Sequence, residues 1–202
     1  LIVLSKEQVS AEVMKISSDS GLAFFIRNFY LKIVKPESIF ENAEFLDEEE
    51  QDIVDAGLAF AAESKAVEYL SRSEQSRFGL AKKLGNKNYE RKSIEMALDY
   101  LEFKNYLSDE RFARAWLNSR RINHSEGRTK LAAELASRGI SKEISRIALD
   151  DFFSENPEIE LCKRDFSKIS KSCADSEKII RRLVVHGFSY SMIKKVMSGD
   201  CD

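Results

Sequence analysis

A chain of 202 residues with 43% hydrophobic side chains can bury a sizeable core, and no apolar run in it approaches the roughly 18 residues that a membrane helix needs. Lys+Arg 32 against Asp+Glu 34 leaves a net charge of −2, so any affinity for a polyanion has to come from local clustering. Cys162, Cys173 and Cys201 are odd in number, widely spaced and far from any histidine cluster, which argues against a disulfide framework or a zinc site.

The opening LIVL is too short for a signal peptide, and the expectation is a cytoplasmic protein that does not touch the membrane. Charge is uneven along the chain. Residues 1–63 carry 5 Lys+Arg against 13 Asp+Glu, residues 64–153 carry 18 against 13, and residues 154–202 carry 9 against 8. From Arg111 to Arg146 there are nine cations and three acids.

Before Pro36, VSAEVMKIS, SDSG and LAFFIRNFYLKIV read as strand, turn and strand, with Val13, Ile16, Phe25, Phe29 and Tyr30 available to cover a small core. Residues 1–46 are therefore expected to be an N-terminal extension built on a β-hairpin. The next stretch, LDEEEQDIVDAGLAFAAESKAVEYLSR, predicts a helix. Asp47 is its cap, three glutamates fill its first turn, Ile53, Val54, Leu58 and Ala61 form its apolar face, and it runs towards Tyr69 and Leu70. The glutamates read as a solvated, dipole-matched first turn and not as an acidic binding site.

Beyond this helix the chain repeats itself. Aligned without gaps, 76–98, 127–149 and 175–197 place Leu80/Leu84, Leu131/Leu135 and Ile179/Leu183 at their fifth and ninth positions. An apolar pair four residues apart is one face of a helix. The thirteenth position is Asn88, Gly139 or Gly187, types that accept a left-handed helix cap, and the fourteenth is Tyr89, Ile140 or Phe188. A second helix follows each, with Ala97/Leu98, Ala148/Leu149 and Val196/Met197 in matching places, and a further helical segment precedes each pair. The predicted architecture is mainly α: tandem three-helix repeats in three units (47–106 with the acidic helix, 107–156, 157–202) forming an elongated array after the small hairpin. The short link EFKNYLS suggests that the first two units pack tightly, and Pro157 marks a break before the third.

The second unit opens on LSDERFARAWLNSRR. Ser108 can cap this helix, and Asp109 and Glu110 suit the positive end of its dipole. Arg111, Arg114, Asn118 and Arg121 share a polar stripe, while Phe112, Ala113, Trp116 and Leu117 share an apolar one. Trp116 reads as core and not as a base-stacking platform. Arg120 falls within the apolar stripe, so it is read as structural, either snorkelling or paired with a buried carboxylate. Arg111, Arg114 and Arg121, joined by Arg128 and Lys130 at the start of the next helix, form a candidate contact surface for a polyanionic partner. The alternative is a solvated face with no partner.

No phosphate-binding glycine loop, dinucleotide motif or HExxH is present, and no catalytic residue, metal ligand or cofactor is expected. His124 and His186 read as surface or cap residues. A second reading takes 127–149 as a DNA-binding helix-turn-helix with Gly139 at its turn, although its second helix offers only Lys142 and Arg146 as cationic base readers.

YLSRSEQSRFGLAKKL (69–84), LDYLEFKNYLSDERFARAWLNSRR (98–121) and GRTKLAAELASRGIS (127–141) together resemble the RecX family of bacterial recombination regulators. The likeness runs from Tyr69 to Met197, strong through Leu149 and weaker after it. It implies tandem three-helix repeats without an active site. It also implies binding to the RecA recombinase filament on single-stranded DNA and suppression of its ATP hydrolysis and strand exchange, with direct DNA contact in some members; the three aligned segments themselves lead us to expect a monomer. Two departures stand out: Ser73 stands where many members carry a further basic residue, and Gly79 interrupts a helix at a cost of roughly 1 kcal/mol relative to alanine.

Overall fold

The computed structural model describes residues 1–21 and 23–199, the side chains of residues 122 and 123 excepted, so Cys201 lies outside the described residues. Alternating apolar residues build the central strand of a small antiparallel sheet, in which β1 (Val3–Gln8), β2 (Val13–Ser18) and β3 (Ala23–Arg27) lie in the order β1-β2-β3. Ile16 of β2 sits opposite Lys6 on one side and Phe24 on the other. The expected hairpin is β2–β3, and β1 is an addition to it. Only Val3 of β1 is buried, so the strand has no alternation by which to be recognised. Phe25 and Phe29 are not core residues, being 40% and 49% exposed. They lie on Phe60 and Phe103, while Met14 and Ile26 fill the core beside Val13, Ile16 and Tyr30.

Helix α1 (Asp47–Leu70) reaches Leu70 as expected, but its cap and its buried face differ from the sequence reading. Leu46 occupies the cap position, and Asp47 is already the first helical residue, at φ 49. Helix α1 buries Ile53 together with small residues, Ala56, Gly57, Ala59, Ala62 and Ala66, whereas Leu58 and Ala61 are exposed. The cause is the edge strand β3, which lies close along the helix: a Cβ on Gly57 would stand 2.5 Å from the Phe24 ring. Covering a sheet edge with a helix removes an aggregation hazard, and close approach selects small side chains.

Two buried carboxylates of α1 fasten this contact. Asp52 accepts backbone hydrogen bonds from Lys32, Ile33 and Val34 at 2.9–3.0 Å. Glu63 accepts from Arg27 Nε and Nη2 at 2.8 and 2.5 Å and from the Tyr30 hydroxyl at 2.8 Å. Burial, then the charge of Glu63, pushes the Tyr30 hydroxyl far above its ordinary value.

Eight further helices follow among the described residues: α2 (Arg77–Gly85), α3 (Arg91–Phe103), α4 (Asp109–Asn123), α5 (Arg128–Ser137), α6 (Lys142–Glu155), α7 (Glu158–Ser170), α8 (Ser176–Val185) and α9 (Tyr190–Ser198). Together with α1 they fall into consecutive triples, α1–α3, α4–α6 and α7–α9, as the repeat requires. Leu80, Leu84, Leu131, Leu135, Ile179 and Leu183 are all at most 5% exposed. Asn88, Gly139 and Gly187 take positive φ of 64°, 80° and 92°, which ends the middle helix of each triple. Gly79 stands in the first turn of α2, where its amide donates to Ser76 Oγ at 3.0 Å. Any Cβ at that position would crowd the capping hydroxyl.

The chain divides into two compact units, Leu1–Leu107 and Ser108–Asp202, each with its own apolar core. The hairpin region thus shares a core with α1–α3. The second and third triples form one unit with no break at Pro157, which serves as the N-cap of α7. They meet backbone to backbone. The Gly127 amide donates to the His186 carbonyl at 2.8 Å, and a Cβ on Gly127 would collide with the Gly187 carbonyl. Arg164 adds bonds to Ser125 Oγ and the His124 carbonyl, both at 2.7 Å, and Arg128 N donates to Glu158 at 2.8 Å.

Candidate functional site

Helix α4 begins as its sequence dictates, with Ser108 Oγ accepting from the Arg111 amide at 3.3 Å and Asp109 and Glu110 in the first turn. Its apolar stripe faces the core of the second unit: Ala113 and Leu117 are buried, and Phe112 and Trp116 are half-buried against the same cluster. Arg114, Asn118 and Arg121 point into solvent, with Arg111 half-buried beside them.

Arg120 does not belong to that surface. Its Nε and Nη2 donate to Glu126 at 2.9 and 2.7 Å, Glu134 lies 3.8 Å away, and the guanidinium sits 5.7 Å from the centre of the Trp116 ring. Arg138 covers the same ring at 4.5 Å. Glu126, only 6% exposed at its side chain, also accepts from Lys130 at 2.7 Å. Burial works to raise the Glu126 carboxyl, but the hydrogen bonds from Arg120 and Lys130 outweigh it and hold the group below the usual carboxylate range. The same bond from Glu126 raises Arg120. This network pins the loop between α4 and α5.

The cations singled out in the sequence are interleaved with acids in space. Arg114 lies 3.3 Å from Asp151, Arg128 lies 2.8 Å from Asp150, and Lys130 is bound to Glu126. Asp150 and Asp151 belong to α6, which packs against α4, and no spacing in the sequence announces that contact. The Glu126–Lys130 pair, by contrast, has the i, i+4 spacing of a helical ion pair. Arg121 has no ion pair among the described residues, which leaves it an exposed cation. Between Arg114 and Asn118 of α4 and Asp151 and Glu155 of α6 lies a shallow cleft of about 270 Å³. Arg146, one of the two base readers in the helix-turn-helix reading, is engaged by Glu143 at 2.7 Å and Asp150 at 3.2 Å.

His124 and His186 each occupy the C-cap position of a helix, and His186 Nδ1 meets the buried Asp165 at 2.6 Å. Cys162 is buried and Cys173 half-buried, and neither is in a disulfide. Among the described residues no group of His, Cys, Asp and Glu is arranged to hold a metal ion, and no helix is long and apolar enough to cross a membrane.

Residues 62–101 match the model of the first three-helix domain of RecX, and residues 108–149 match that of the second, which contains α4 and its arginines. The regulatory protein RecX of Treponema pallidum subsp. pallidum is 33% identical over 152 residues, covering 75% of this chain and 93% of its own. That of Chromobacterium violaceum is 31% identical over 142 residues, covering 69% and 90%. A crystal structure of regulatory protein RecX superposes with a TM-score of 0.74 at 20% identity over 98% of both chains. The structure of RecX from Lactobacillus salivarius gives a TM-score of 0.62 at 20% identity over 70% of this chain and 96% of its own. Shared fold and sequence likeness over most of its length place this chain in the RecX family of regulatory proteins.

Proposed function

We propose that this protein regulates homologous recombination by binding the RecA recombinase filament assembled on single-stranded DNA and suppressing the filament's ATP hydrolysis and strand exchange. Family membership supports the reading, and the solvent-facing stripe of α4 within the matched second domain carries it on this chain. Arg111, Arg114 and Arg121 meet the filament. Arg128 and Lys130 contribute by exchanging Asp150 and Glu126 for the partner's anions. Phe112, Trp116 and Arg120 anchor the helix from behind. The protein acts in the cytoplasm as a monomer, by occupancy and not by chemistry, and needs no cofactor.

The test is a titration of the protein into single-stranded-DNA-dependent ATP hydrolysis by its own organism's recombinase. Inhibition saturates near stoichiometry with recombinase. Arg114→Glu/Arg121→Glu needs about tenfold more protein and flattens the salt dependence by about 1.4, at 0.7 per lost contact. Normal inhibition by that variant between about 50 and 200 mM salt removes α4 from the contact surface. Destruction of nucleotide or DNA by the protein alone would overturn the occupancy mechanism.

A further inference from the structure

Three of the four apolar residues that the sequence assigns to the inner face of α1 line a groove instead. Val54, Leu58 and Ala61, with Phe24 of β3, wall a depression of about 400 Å³ on the first unit, and Asp19 and Glu50 stand on its rim. Leu58 is 41% exposed. Each rim carboxylate spends one oxygen on the first two residues, Asp19 Oδ1 accepting from the Ile2 amide at 3.1 Å and Glu50 Oε2 from the Leu1 nitrogen at 2.8 Å. The other oxygen of each has no bond among the described residues. Such a rim repels a polyanion, and an apolar segment flanked by cations suits it.

The chain itself carries such a segment. On α8, Lys178, Arg181, Arg182 and Val185 recur at i, i+3, i+4 and i+7, which is one stripe of a helix, and all four are exposed, Val185 to 72%. Ile179 and Leu183 fill the core behind. Neighbouring acids hold these cations loosely: the pairs Lys178–Asp175 and Arg181–Glu177 are both 3.4 Å long and largely in water, and Arg182 has no ion pair among the described residues. Helix α1 presents the complement at the same spacing, since Asp47, Glu50 and Val54 stand at i, i+3 and i+7 as Lys178, Arg181 and Val185 do. Seven helical residues rise about 10 Å in both, so the two helices laid side by side in one direction put cations on carboxylates and valine on valine. The opposite direction strands Lys178 and Asp47 on apolar side chains.

We propose that the basic stripe of α8 docks in the acid-rimmed groove of a second copy of this chain, parallel to that copy's α1, with Lys178, Arg181 and Arg182 on Asp47, Glu50 and Asp19 and Val185 against Val54 and Leu58. The two patches differ, so the contact is heterologous and copies add head to tail. A groove that holds a few side chains makes a transient contact, so the free chain is a monomer in dilute solution and associates where copies are crowded. No recombinase takes part, and the outcome of the test is independent of the filament reading.

The experiment is sedimentation velocity of the full chain, free of nucleic acid, from about 10 to 500 μM at about 50 and 200 mM salt. The mean mass of the parent rises with concentration at the lower salt and falls back towards one chain at the higher. Asp47→Lys/Glu50→Lys and Arg181→Glu/Arg182→Glu each weaken association more than about tenfold, because like charges then meet. Mixed in equal amounts, the two variants associate again, since the basic stripe of the first meets the acidic rim of the second. Leu58→Ser weakens association about threefold or more and leaves its salt dependence in place. Should Asp47→Lys/Glu50→Lys fail to fold, Leu58→Ser carries that side of the test. The proposal is overturned if the parent keeps the mass of one chain throughout at the lower salt, if either reversed variant associates like the parent, or if the mixture stays monomeric.

Discussion

In the first unit the small sheet is fastened to α1 by buried charge: Arg27 and the Tyr30 hydroxyl converge on Glu63, and three amides converge on Asp52. In the second, one triple meets the next through bare backbone, with Gly127 against Gly187 and a hydrogen bond to the His186 carbonyl. Within each triple the packing is the same, a pair of buried aliphatic side chains four residues apart. The repeat therefore settles how a triple closes on itself, while each junction is an individual solution. A charged junction fails when a partner is removed. A glycine junction fails when an atom is added.

That contrast can be broken by substitution. Glu63→Ala leaves the largely buried Arg27 guanidinium with only the exposed Glu12 at 3.2 Å and takes the acceptor from the buried Tyr30 hydroxyl, and is expected to cost about 3–5 kcal/mol, confined to the first unit. Chemical denaturation combined with hydrogen exchange reads both the size and the place of the loss. Replacing Glu63 and Arg27 together by leucine, with Tyr30→Phe to remove the hydroxyl that Glu63 accepted from, should restore most of it, because a packed apolar cluster often matches a buried ion pair. Next comes Gly187→Ala. At φ 92°, with its new Cβ 2.5 Å from the Lys130 nitrogen, it is expected to destabilise the second unit by about 3 kcal/mol while α1–α3 keep their protection. A uniform loss over both units would contradict the division between them.

Arg120→Ala is expected to cost about 1–3 kcal/mol, since Lys130 remains to partner Glu126, and to leave salt-dependent binding unchanged. Thermal melting checks the first part and anisotropy the second. The smallest effect is that of pH. The Glu126 carboxyl is held below its ordinary value, so its stabilisation is complete above the unfolded carboxylate range and disappears as pH falls through the lower folded value. Melting temperatures of the parent and Glu126→Gln should therefore differ at neutral pH and converge in acid. A gap that persisted in strong acid would assign the effect to packing.

What the sequence discloses is local. The paired aliphatics, the left-handed residue at the thirteenth position and the serine caps act within one or two turns, so their spacing alone reveals them. Strand β1 stayed hidden because one buried residue makes no pattern. The buried side of α1 was misjudged because Phe24, more than thirty positions before Gly57, decides which residues must be small. The candidate surface divides in the same way. Which side chains of α4 reach solvent follows from helical geometry, but the carboxylates beside Arg114 and Arg128 come from α6 and needed the tertiary structure.

The hydrogen bond from Gly127 to His186 also makes one proton a reporter. Gly127 is the N-cap of α5, where amides lack an intrahelical acceptor and trade hydrogen with water readily. Tied to His186, this proton exchanges only when the third triple lifts from the second, so its protection measures that opening directly. Each tenfold change in its exchange rate corresponds to about 1.4 kcal/mol in the docking equilibrium. A ligand that grips the α8–α9 hairpin without touching Gly127 should therefore reveal in this single signal whether it seats the third triple or pries it loose.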